Sequence, residues 1–147
     1  MPLRIILADD HPVIVRGIQT ILEEESEFQI LAEFRNGHAL LQSPLIGSAD
    51  LLLLDLNMPK IDGLRVLSSL SNSESTIKTI VISAYNSRKL VEECREHGAS
   101  AYIVKTEQLS DLKEIIRQVM QGEKVFPDFA APALAPENKF SYLDDFL

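Results

Sequence analysis

The sequence predicts an α/β fold, in which helices cover both faces of a parallel sheet. Five short apolar runs alternate along the chain with five stretches of helical spacing, and this alternation is typical of β-α-β units. The most continuous runs are Leu51-Leu52-Leu53-Leu54 and Thr79-Ile80-Val81-Ile82. Continuous apolar strands of this kind suit a sheet that is buried on both faces.

The composition sets the scale and the class of the protein. A chain of 147 residues, 46% of them hydrophobic, can bury a real core in one domain. Its formal charge of −8 argues against unaided binding to DNA or RNA, which depends on clustered lysine and arginine. The single cysteine excludes an intrachain disulfide, and the first apolar run is too short for a signal peptide or a membrane span. We therefore expect an acidic, cytoplasmic domain without a membrane segment.

The strands and the first helix are predicted from the apolar pattern. The first helix should begin at Pro12, because proline is well tolerated in the first helical turn. It should end near Glu23-Glu24-Glu25, and its apolar stripe contains Ile14, Ile18, Ile21 and Leu22. The five strands are expected at residues 3–8, 28–34, 50–55, 78–83 and 101–104.

The remaining helices differ in the strength of their pattern. Gly98 and Gly122 suit the left-handed position that follows a helix. A second helix around Leu40, Leu41 and Leu45 is interrupted by Pro44, which removes a hydrogen bond from a helix interior. The clearer helices are expected at residues 64–71, 87–97 and 109–120.

The composition changes after Gly122. Prolines at 127, 132 and 136 alternate with alanines, which is typical of a linker. We predict one domain over residues 1–125, followed by a linker or tail over 126–147 that leads to an output domain absent from the chain. The apolar residues of 140–147 could begin another helix or form a short docking tail.

Polar residues follow four of the five predicted strands directly. Asp9 and Asp10 follow the first strand, Asp55 and Ser83 close the third and fourth, and Lys105 follows the fifth. Ligands and catalytic groups gather at the carboxyl ends of strands in open α/β sheets. We therefore expect three carboxylates, one hydroxyl and one ammonium to converge on a single edge of the sheet.

Three carboxylates at such close range would repel one another, so the arrangement calls for a cation. Mg²⁺ is the natural candidate, because it prefers oxygen ligands and is commonly held by one or two carboxylates together with a phosphate. With its charge neutralised, Asp55 could act as a nucleophile toward phosphorus and form an aspartyl phosphate. Lys105 and the Ser83 hydroxyl would then hold the phosphoryl oxygens.

Four segments, in their order and spacing, resemble the receiver domains of two-component response regulators over roughly residues 1–122. The resemblance implies a CheY-like, flavodoxin-like fold, with a five-stranded parallel sheet in the order 2-1-3-4-5. The matching segments are Ile6-Leu-Ala-Asp9-Asp10-His-Pro12, Leu54-Asp55-Leu-Asn57-Met-Pro59-Lys-Ile-Asp62-Gly63, Val81-Ile-Ser83-Ala84 and Gly98-Ala-Ser-Ala-Tyr102-Ile-Val-Lys105.

The resemblance also implies a role for each matching acidic residue. Asp10, Asp55 and the backbone carbonyl of Asn57 would bind Mg²⁺ directly, and Asp9 would support the ion through a water molecule. Asp55 would accept a phosphoryl group from a sensor histidine kinase. The chain would then be a switch that catalyses only its own phosphoryl transfer and dephosphorylation.

The remaining matches concern the switch and its output. Ser83 and Lys105 would bind the phosphoryl group, and Ser83 and Tyr102 would move as the switch. The Asp-Asp-His-Pro and Tyr-Ile-Val-Lys-Thr segments resemble the NarL/LuxR-type subgroup, which implies a transcriptional regulator that contacts DNA only through a missing C-terminal helix-turn-helix domain. The apolar helix over 109–120 suggests homodimerisation on activation. Thr106 stands where many receivers have a proline in a cis peptide, so the geometry of the Lys105–Thr106 bond is open.

Two other functions deserve comparison. A HAD-like phosphatase also forms an aspartyl phosphate after an apolar strand, but such enzymes usually carry a second acid two residues later, where this chain has Asn57. A nucleotide-binding domain would need a glycine-rich phosphate loop, and none follows a predicted strand. A phosphorylation-dependent switch is therefore the favoured function.

Several polar residues are expected to be structural. Asp62 should cap the helix that follows it, and Cys94 should pack in the core. His11, His38 and His97 lack the spacing of metal ligands. We expect His11 to lie at the start of the first helix, beside the acidic pair.

Overall fold

The computed structural model describes residues 1–128 and contains one parallel sheet. Its strands lie in the order β2-β1-β3-β4-β5, and every neighbouring pair is parallel. This confirms the predicted fold class and strand order. The strands are β1 (Leu3–Ala8), β2 (Phe28–Phe34), β3 (Leu51–Asp55), β4 (Lys78–Ser83) and β5 (Ala101–Val104).

The helices follow the strands in alternation, as predicted. Pro12 occupies the first turn of α1, and the side chain of Asp62 caps α3 by accepting a hydrogen bond of 3.0 Å from the Arg65 N–H. Gly98 and Gly122 have φ values of +96° and +98°, so both adopt the left-handed conformation expected after a helix. The α-helices are α1 (Pro12–Glu23), α2 (Gly37–Gln42), α3 (Gly63–Ser71), α4 (Arg88–Glu96), α5 (Lys105–Gln108) and α6 (Leu112–Met120).

Two helical regions differ from the predicted pattern. The second helix stops at Gln42, and Pro44–Ser48 forms a separate 3₁₀ helix, because proline lacks the N–H that a continuous helix would need. The last helix was predicted to be continuous over 109–120. Instead, Leu109–Asp111 is a 3₁₀ turn that separates α5 from α6.

The core consists of two apolar layers, one on each face of the sheet. Leu51 and Leu53 point into the layer formed with α1 and α6, whereas Leu52 and Leu54 point into the layer formed with α2, α3 and α4. This alternation follows from the two-residue period of a strand. Because both faces are covered, the polar ends of the strands are the part of the sheet at which chemistry can be built.

The segment after α6 returns to the edge of the sheet. The Tyr102 N–H donates to the Val125 carbonyl at 3.0 Å, and the Val125 N–H donates to the Ser100 carbonyl at 3.0 Å. Phe126 packs against the layer formed with α4, and the Arg95 guanidinium lies 4.3 Å from the centre of its ring. The predicted linker beyond residue 128 lies outside the described residues. Within residues 1–128, no helix is both long enough and apolar enough to cross a membrane.

Candidate functional site

The acidic residues at the strand ends meet, as the sequence predicted. Ala8 pairs with Leu54 across β1 and β3, so Asp9 follows one strand where Asp55 ends its neighbour. Asp9 is 4% exposed and Asp55 is 1% exposed, which makes both carboxylates part of the protein interior. Burial of this kind is costly for a charged group unless it is paired or binds a cation.

Lys105 supplies positive charge to this cluster. Its Nζ lies 3.1 Å from Asp9 Oδ2 and 3.5 Å from Asp55 Oδ1, and its side chain is 7% exposed. The described backbone contains no cis peptide bond, so the Lys105–Thr106 bond is trans. One ammonium group for three neighbouring carboxylates leaves the cluster with a net negative charge.

The imidazole of His11 also lies inside the cluster. Its Nδ1 is 2.8 Å from Asp9 Oδ1, 3.4 Å from Asp10 Oδ1 and 3.2 Å from Asp55 Oδ2. His11 lies at the start of α1 beside the acidic pair, as predicted, and the structure adds its contact with Asp55. The spacing of histidines along the chain could not reveal this contact, because the partners of His11 are its two preceding residues and a residue on another strand.

The cluster meets the chemical requirements of a divalent-cation site. Asp9, Asp10, His11 and Asp55 each offer one ligand atom, and these four atoms lie within 4.8 Å of one another. Asp9 Oδ2, Asp10 Oδ1 and Asp55 Oδ2 are buried and accept no hydrogen bond. Lys105 Nζ lies near the first of them and His11 Nδ1 near the other two, but these contacts lack hydrogen-bond geometry. Unsatisfied buried carboxylate oxygens are suitable ligands for a hard cation such as Mg²⁺.

The pKa of Asp55 is raised above its ordinary value. Burial is the main cause, and the negative charge of Asp9 adds to it; Lys105, the Asn57 N–H and His11 act in the opposite direction. A divalent cation would favour the ionised carboxylate in the same way as Lys105 does. The site therefore links the charge state of Asp55 to the presence of a cation.

Asn57 contacts Asp55 through its backbone. Its N–H donates to Asp55 Oδ1 at 3.2 Å, and its side chain is exposed. Next to it, the Gly63 N–H donates to the Leu56 carbonyl at 3.0 Å, which ties the loop that carries Asn57 to the start of α3. This fixes the backbone around the residue that is predicted to supply a carbonyl ligand.

The hydroxyl and aromatic residues of the predicted switch are buried beside the acidic cluster. Ser83 is 0% exposed and its Oγ accepts a hydrogen bond of 3.1 Å from the Tyr85 N–H. The Tyr102 hydroxyl donates to the Tyr85 carbonyl at 2.6 Å. Burial raises the pKa of Tyr102 to about 12, and a hydrogen bond with Ser83 acts in the opposite direction. Both predicted switch residues therefore contact the loop between β4 and α4.

Cys94 packs in the core, as the sequence predicted. It is 0% exposed, and burial raises the pKa of its thiol to about 12. A thiol with such a pKa remains protonated and is a poor nucleophile. Its role is structural.

The chain is similar to known proteins in sequence and in fold. A family model for the response regulator receiver domain matches residues 5–117. The nitrate/nitrite response regulator protein NarL of Escherichia coli is 31% identical over 134 residues, which cover 91% of this chain and 62% of that protein. The response regulator protein VraR of Staphylococcus saprophyticus is 29% identical over 126 residues, 86% of this chain and 60% of that protein. The chain thus spans about three fifths of the length of these curated relatives.

Solved structures agree on the fold. The non-phosphorylated receiver domain of the stress response regulator RcsB from Escherichia coli superposes with a TM-score of 0.79 at 24% identity, covering 87% of this chain and all 100% of that domain. A LuxR-family two-component response regulator from Aurantimonas gives a TM-score of 0.80 at 20% identity, covering 95% and 99% of the two chains. The family match over residues 5–117 shows that the chain belongs to the response regulator receiver domain family, and its similarity to NarL and VraR supports the NarL subgroup.

Proposed function

We propose that this chain is a phosphoacceptor switch that receives a phosphoryl group on Asp55 from a sensor histidine kinase. The observation that carries the proposal is the setting of Asp55. Its carboxylate is 1% exposed at the end of β3, with Lys105 Nζ 3.5 Å away and the carboxylates of Asp9 and Asp10 beside it. A nucleophile with an adjacent ammonium group and cation ligands is suited to phosphoryl transfer, in which positioning and charge neutralisation supply most of the catalysis.

In the transfer, an Asp55 carboxylate oxygen forms a bond to phosphorus while the bond between phosphorus and the kinase histidine nitrogen breaks. That nitrogen keeps the electron pair of the broken bond. Asp55 must be ionised to act, and Lys105 favours the ionised form. Lys105 and the Ser83 hydroxyl are placed to bind oxygens of the phosphoryl group once it is on Asp55.

The Mg²⁺ that this function requires would be held by Asp10, Asp55 and the Asn57 carbonyl, with Asp9 acting through water. The buried carboxylate oxygens without hydrogen bonds support this assignment. When bound, Mg²⁺ neutralises the charge of the carboxylates and of the phosphoryl oxygens. The same oxygens would otherwise repel the incoming phosphoryl group.

The conformational change would be transmitted from Ser83 to β5 at the edge of the sheet. A phosphoryl group that draws the Ser83 hydroxyl toward it would compete with the hydrogen bond from the Tyr85 N–H. Tyr85 accepts the hydrogen bond of the Tyr102 hydroxyl, and the Tyr102 N–H is bonded to Val125. A change at Ser83 would therefore reach the segment that leads out of the domain, provided that these contacts have two alternative arrangements.

The output would lie beyond this chain. We propose a cytoplasmic transcriptional regulator, with the receiver over residues 1–125 and a linker over 126–147, that contacts DNA through a helix-turn-helix domain. A homodimer on activation remains part of this proposal, but the apolar side chains of the helix predicted over 109–120 cannot form its interface. Leu112, Ile116 and Val119 of α6 are each 0% exposed, so a dimer would use another face, and light scattering with and without beryllofluoride would test it.

Labelling by a small phosphodonor tests the proposed function. With acetyl phosphate and Mg²⁺, the chain should form an acyl phosphate that is sensitive to hydroxylamine, and Asp55→Asn should abolish it. Asp62→Asn is the matched control, because Asp62 lies in the same loop but caps α3. Removal of Mg²⁺ with a chelator should also prevent labelling. Labelling that persists in Asp55→Asn would refute the assignment, and rapid turnover of an added phosphomonoester would favour the HAD-like phosphatase instead.

A further inference from the structure

His11 is the residue of the acidic cluster that neither the fold nor the proposed phosphoryl transfer explains. Its ring reaches three carboxylates, although about half of its side chain, 51%, is exposed. A position at the start of a helix does not by itself require the ring to point toward the carboxylates. Its position therefore calls for a separate account.

The backbone on both sides fixes the direction of the ring. Pro12 follows His11, and a residue before proline is restricted to extended conformations; His11 has φ −98° and ψ 103°. Its N–H donates to Asp9 Oδ1 at 2.8 Å, and its carbonyl accepts from the Val15 N–H at 3.0 Å. With its backbone held at both ends, the ring is placed over the carboxylates rather than left free in solvent.

The two neighbours of Nδ1 favour different states of this nitrogen, one with a lone pair and one with a proton. Lys105 Nζ lies 3.2 Å away and can only donate, so it requires a lone pair on Nδ1. Asp9 Oδ1, at 2.8 Å, can accept a proton from Nδ1 but cannot face a lone pair favourably. A metal cation between Nδ1 and the carboxylates removes the conflict with Asp9, because a lone pair on nitrogen and the carboxylate oxygens can both point at it. Lys105 Nζ then keeps its ion pairs with Asp9 and Asp55.

The distances agree with shared coordination. Metal–ligand bonds of about 2.0–2.2 Å place adjacent ligand atoms roughly 2.8–3.6 Å apart. Nδ1 lies 3.4 Å from Asp10 Oδ1 and 3.2 Å from Asp55 Oδ2, the two carboxylates proposed to bind the ion directly. Both separations fall in the range expected of neighbouring ligands on one ion.

We propose that His11 supplies a nitrogen ligand to this cation site and shifts its selectivity toward divalent transition-metal ions such as Co²⁺ and Ni²⁺. The inference rests on the proposed function, since it takes the Asp10–Asp55 cluster as the cation site. Mg²⁺ prefers oxygen ligands, whereas imidazole favours ions later in the first transition series. His11 would thus contribute little to Mg²⁺ affinity and strongly to Ni²⁺ affinity.

Titration calorimetry with MgCl₂ and NiCl₂, at one mildly alkaline pH, tests this selectivity. His11→Ala should lower Ni²⁺ affinity by at least about 10-fold, because removing even a residue that only supports a metal ligand costs about 10- to 100-fold. It should leave Mg²⁺ affinity within about threefold. His11→Asn, which offers an oxygen instead, should behave similarly. His38→Ala is the matched control, because His38 is an exposed histidine of α2 outside the cluster. It should leave both affinities unchanged.

Pulsed electron paramagnetic resonance with Cu²⁺ gives a second readout. The wild-type chain should show the modulation from the remote nitrogen of a coordinated imidazole, and His11→Ala should lose it. If the wild-type chain binds Mg²⁺ and the Ni²⁺ to Mg²⁺ affinity ratio is the same in His11→Ala, this inference fails while the proposed function stands. Tighter binding of both ions by His11→Ala would also overturn it, since the ring would then block the site. If the wild-type chain binds neither ion, the proposed cation site itself fails.

Discussion

Replacing Gly63 by alanine is expected to destabilise the protein, because this residue lies against the backbone that carries Asp55. A Cβ atom at Gly63 would lie 2.6 Å from Leu56 Cα, 2.8 Å from the Asp55 carbonyl oxygen and 2.9 Å from Leu56 Cδ2. Two of these three atoms belong to the backbone. They cannot move aside as a flexible side chain would, so β3 and α3 would have to separate at the site.

The expected cost follows from two opposing terms. Adding a methyl group to a well-packed position typically costs about 1–3 kcal/mol. Alanine also lowers the conformational entropy of the unfolded chain relative to glycine, which stabilises the folded state by about 0.4–1 kcal/mol. With midpoints of about 2 and 0.7 kcal/mol for the two terms, the free energy of unfolding should fall by about 1.3 kcal/mol in Gly63→Ala.

Gly17→Ala is the matched control. Apart from its chain neighbours and the backbone of its own helix, no heavy atom lies within 4 Å of a Cβ built at Gly17, which is in the middle of α1. Alanine there should raise the free energy of unfolding by about 0.5–1 kcal/mol, because glycine disfavours a helix interior. The two substitutions are chemically identical and should have effects of opposite sign.

Urea unfolding followed by far-ultraviolet circular dichroism measures both effects, with equal slopes taken as evidence that the unfolded states are comparable. Labelling by acetyl phosphate adds a functional readout, and Gly63→Ala should label more slowly because its loop next to Asp55 must shift. Equal unfolding midpoints for Gly63→Ala and Gly17→Ala would refute the reasoning. Equal midpoints would mean that the backbone at Leu56 shifts to make room for the methyl group without loss of stability.

Three further predictions concern the charge of Asp55 and the sheet edge. The pKa of Asp55 is raised in the folded state, mainly by burial, so the folded state binds the Asp55 proton more tightly than the unfolded state does. The folded state therefore loses stability as the pH rises from the unfolded pKa near 3.8 through the folded pKa. Without divalent cations, Asp55→Asn should thus be more stable than the wild type at neutral pH, with the difference shrinking in acid; urea midpoints that differ equally at both pH values would contradict this. Phe126→Leu should lower the free energy of unfolding by about 0.5–1 kcal/mol, because it removes the ring beneath Arg95. Phe126→Ala should lower it further, because apolar burial is also lost. If both variants unfold like the wild type in urea, the packing of Phe126 contributes nothing to stability. Tyr102→Phe should lower the free energy of unfolding by about 1 kcal/mol, because it removes the hydrogen bond to the Tyr85 carbonyl. It should also speed amide hydrogen exchange in the loop between β4 and α4, and unchanged exchange there would count against the contact.

The strands could be predicted from the sequence because local composition decides them. Leu51–Asp55 forms a strand at the place where four leucines follow one another, and few other structures bury such a run on both faces. The predicted strand began one residue earlier, at Asp50, and the difference is small in physical terms. The Asp50 N–H donates to the Arg4 carbonyl at 2.8 Å and its carbonyl accepts from the Lys78 N–H at 3.2 Å, so its backbone still bonds to both neighbouring strands.

The last helix could not be placed as well, because its apolar spacing continues through a break. Leu109 and Leu112 have helical spacing, yet Leu109 lies in a 3₁₀ turn and α6 begins at Leu112. The break is linked to a side-chain contact: Gln108 Oε1 accepts a hydrogen bond of 3.1 Å from the Val104 N–H at the end of β5. A periodic pattern contains no information on such a contact between a side chain and the backbone.

The convergence of the site was predictable for a different reason than the place of His11. Parallel strands bring their carboxyl ends together whatever their side chains are, so Asp9 and Asp55 had to meet once the strand order was known. Whether the ring of His11 faces inward depends instead on the side-chain torsions of one residue and on its backbone angles. The proline that follows it restricts those angles to the extended region, so the dipeptide His11-Pro12 did contain a usable signal. Substituting Pro12 should therefore loosen the ring and reduce any contribution of His11 to cation selectivity, while leaving the carboxylates of the neighbouring strands in place.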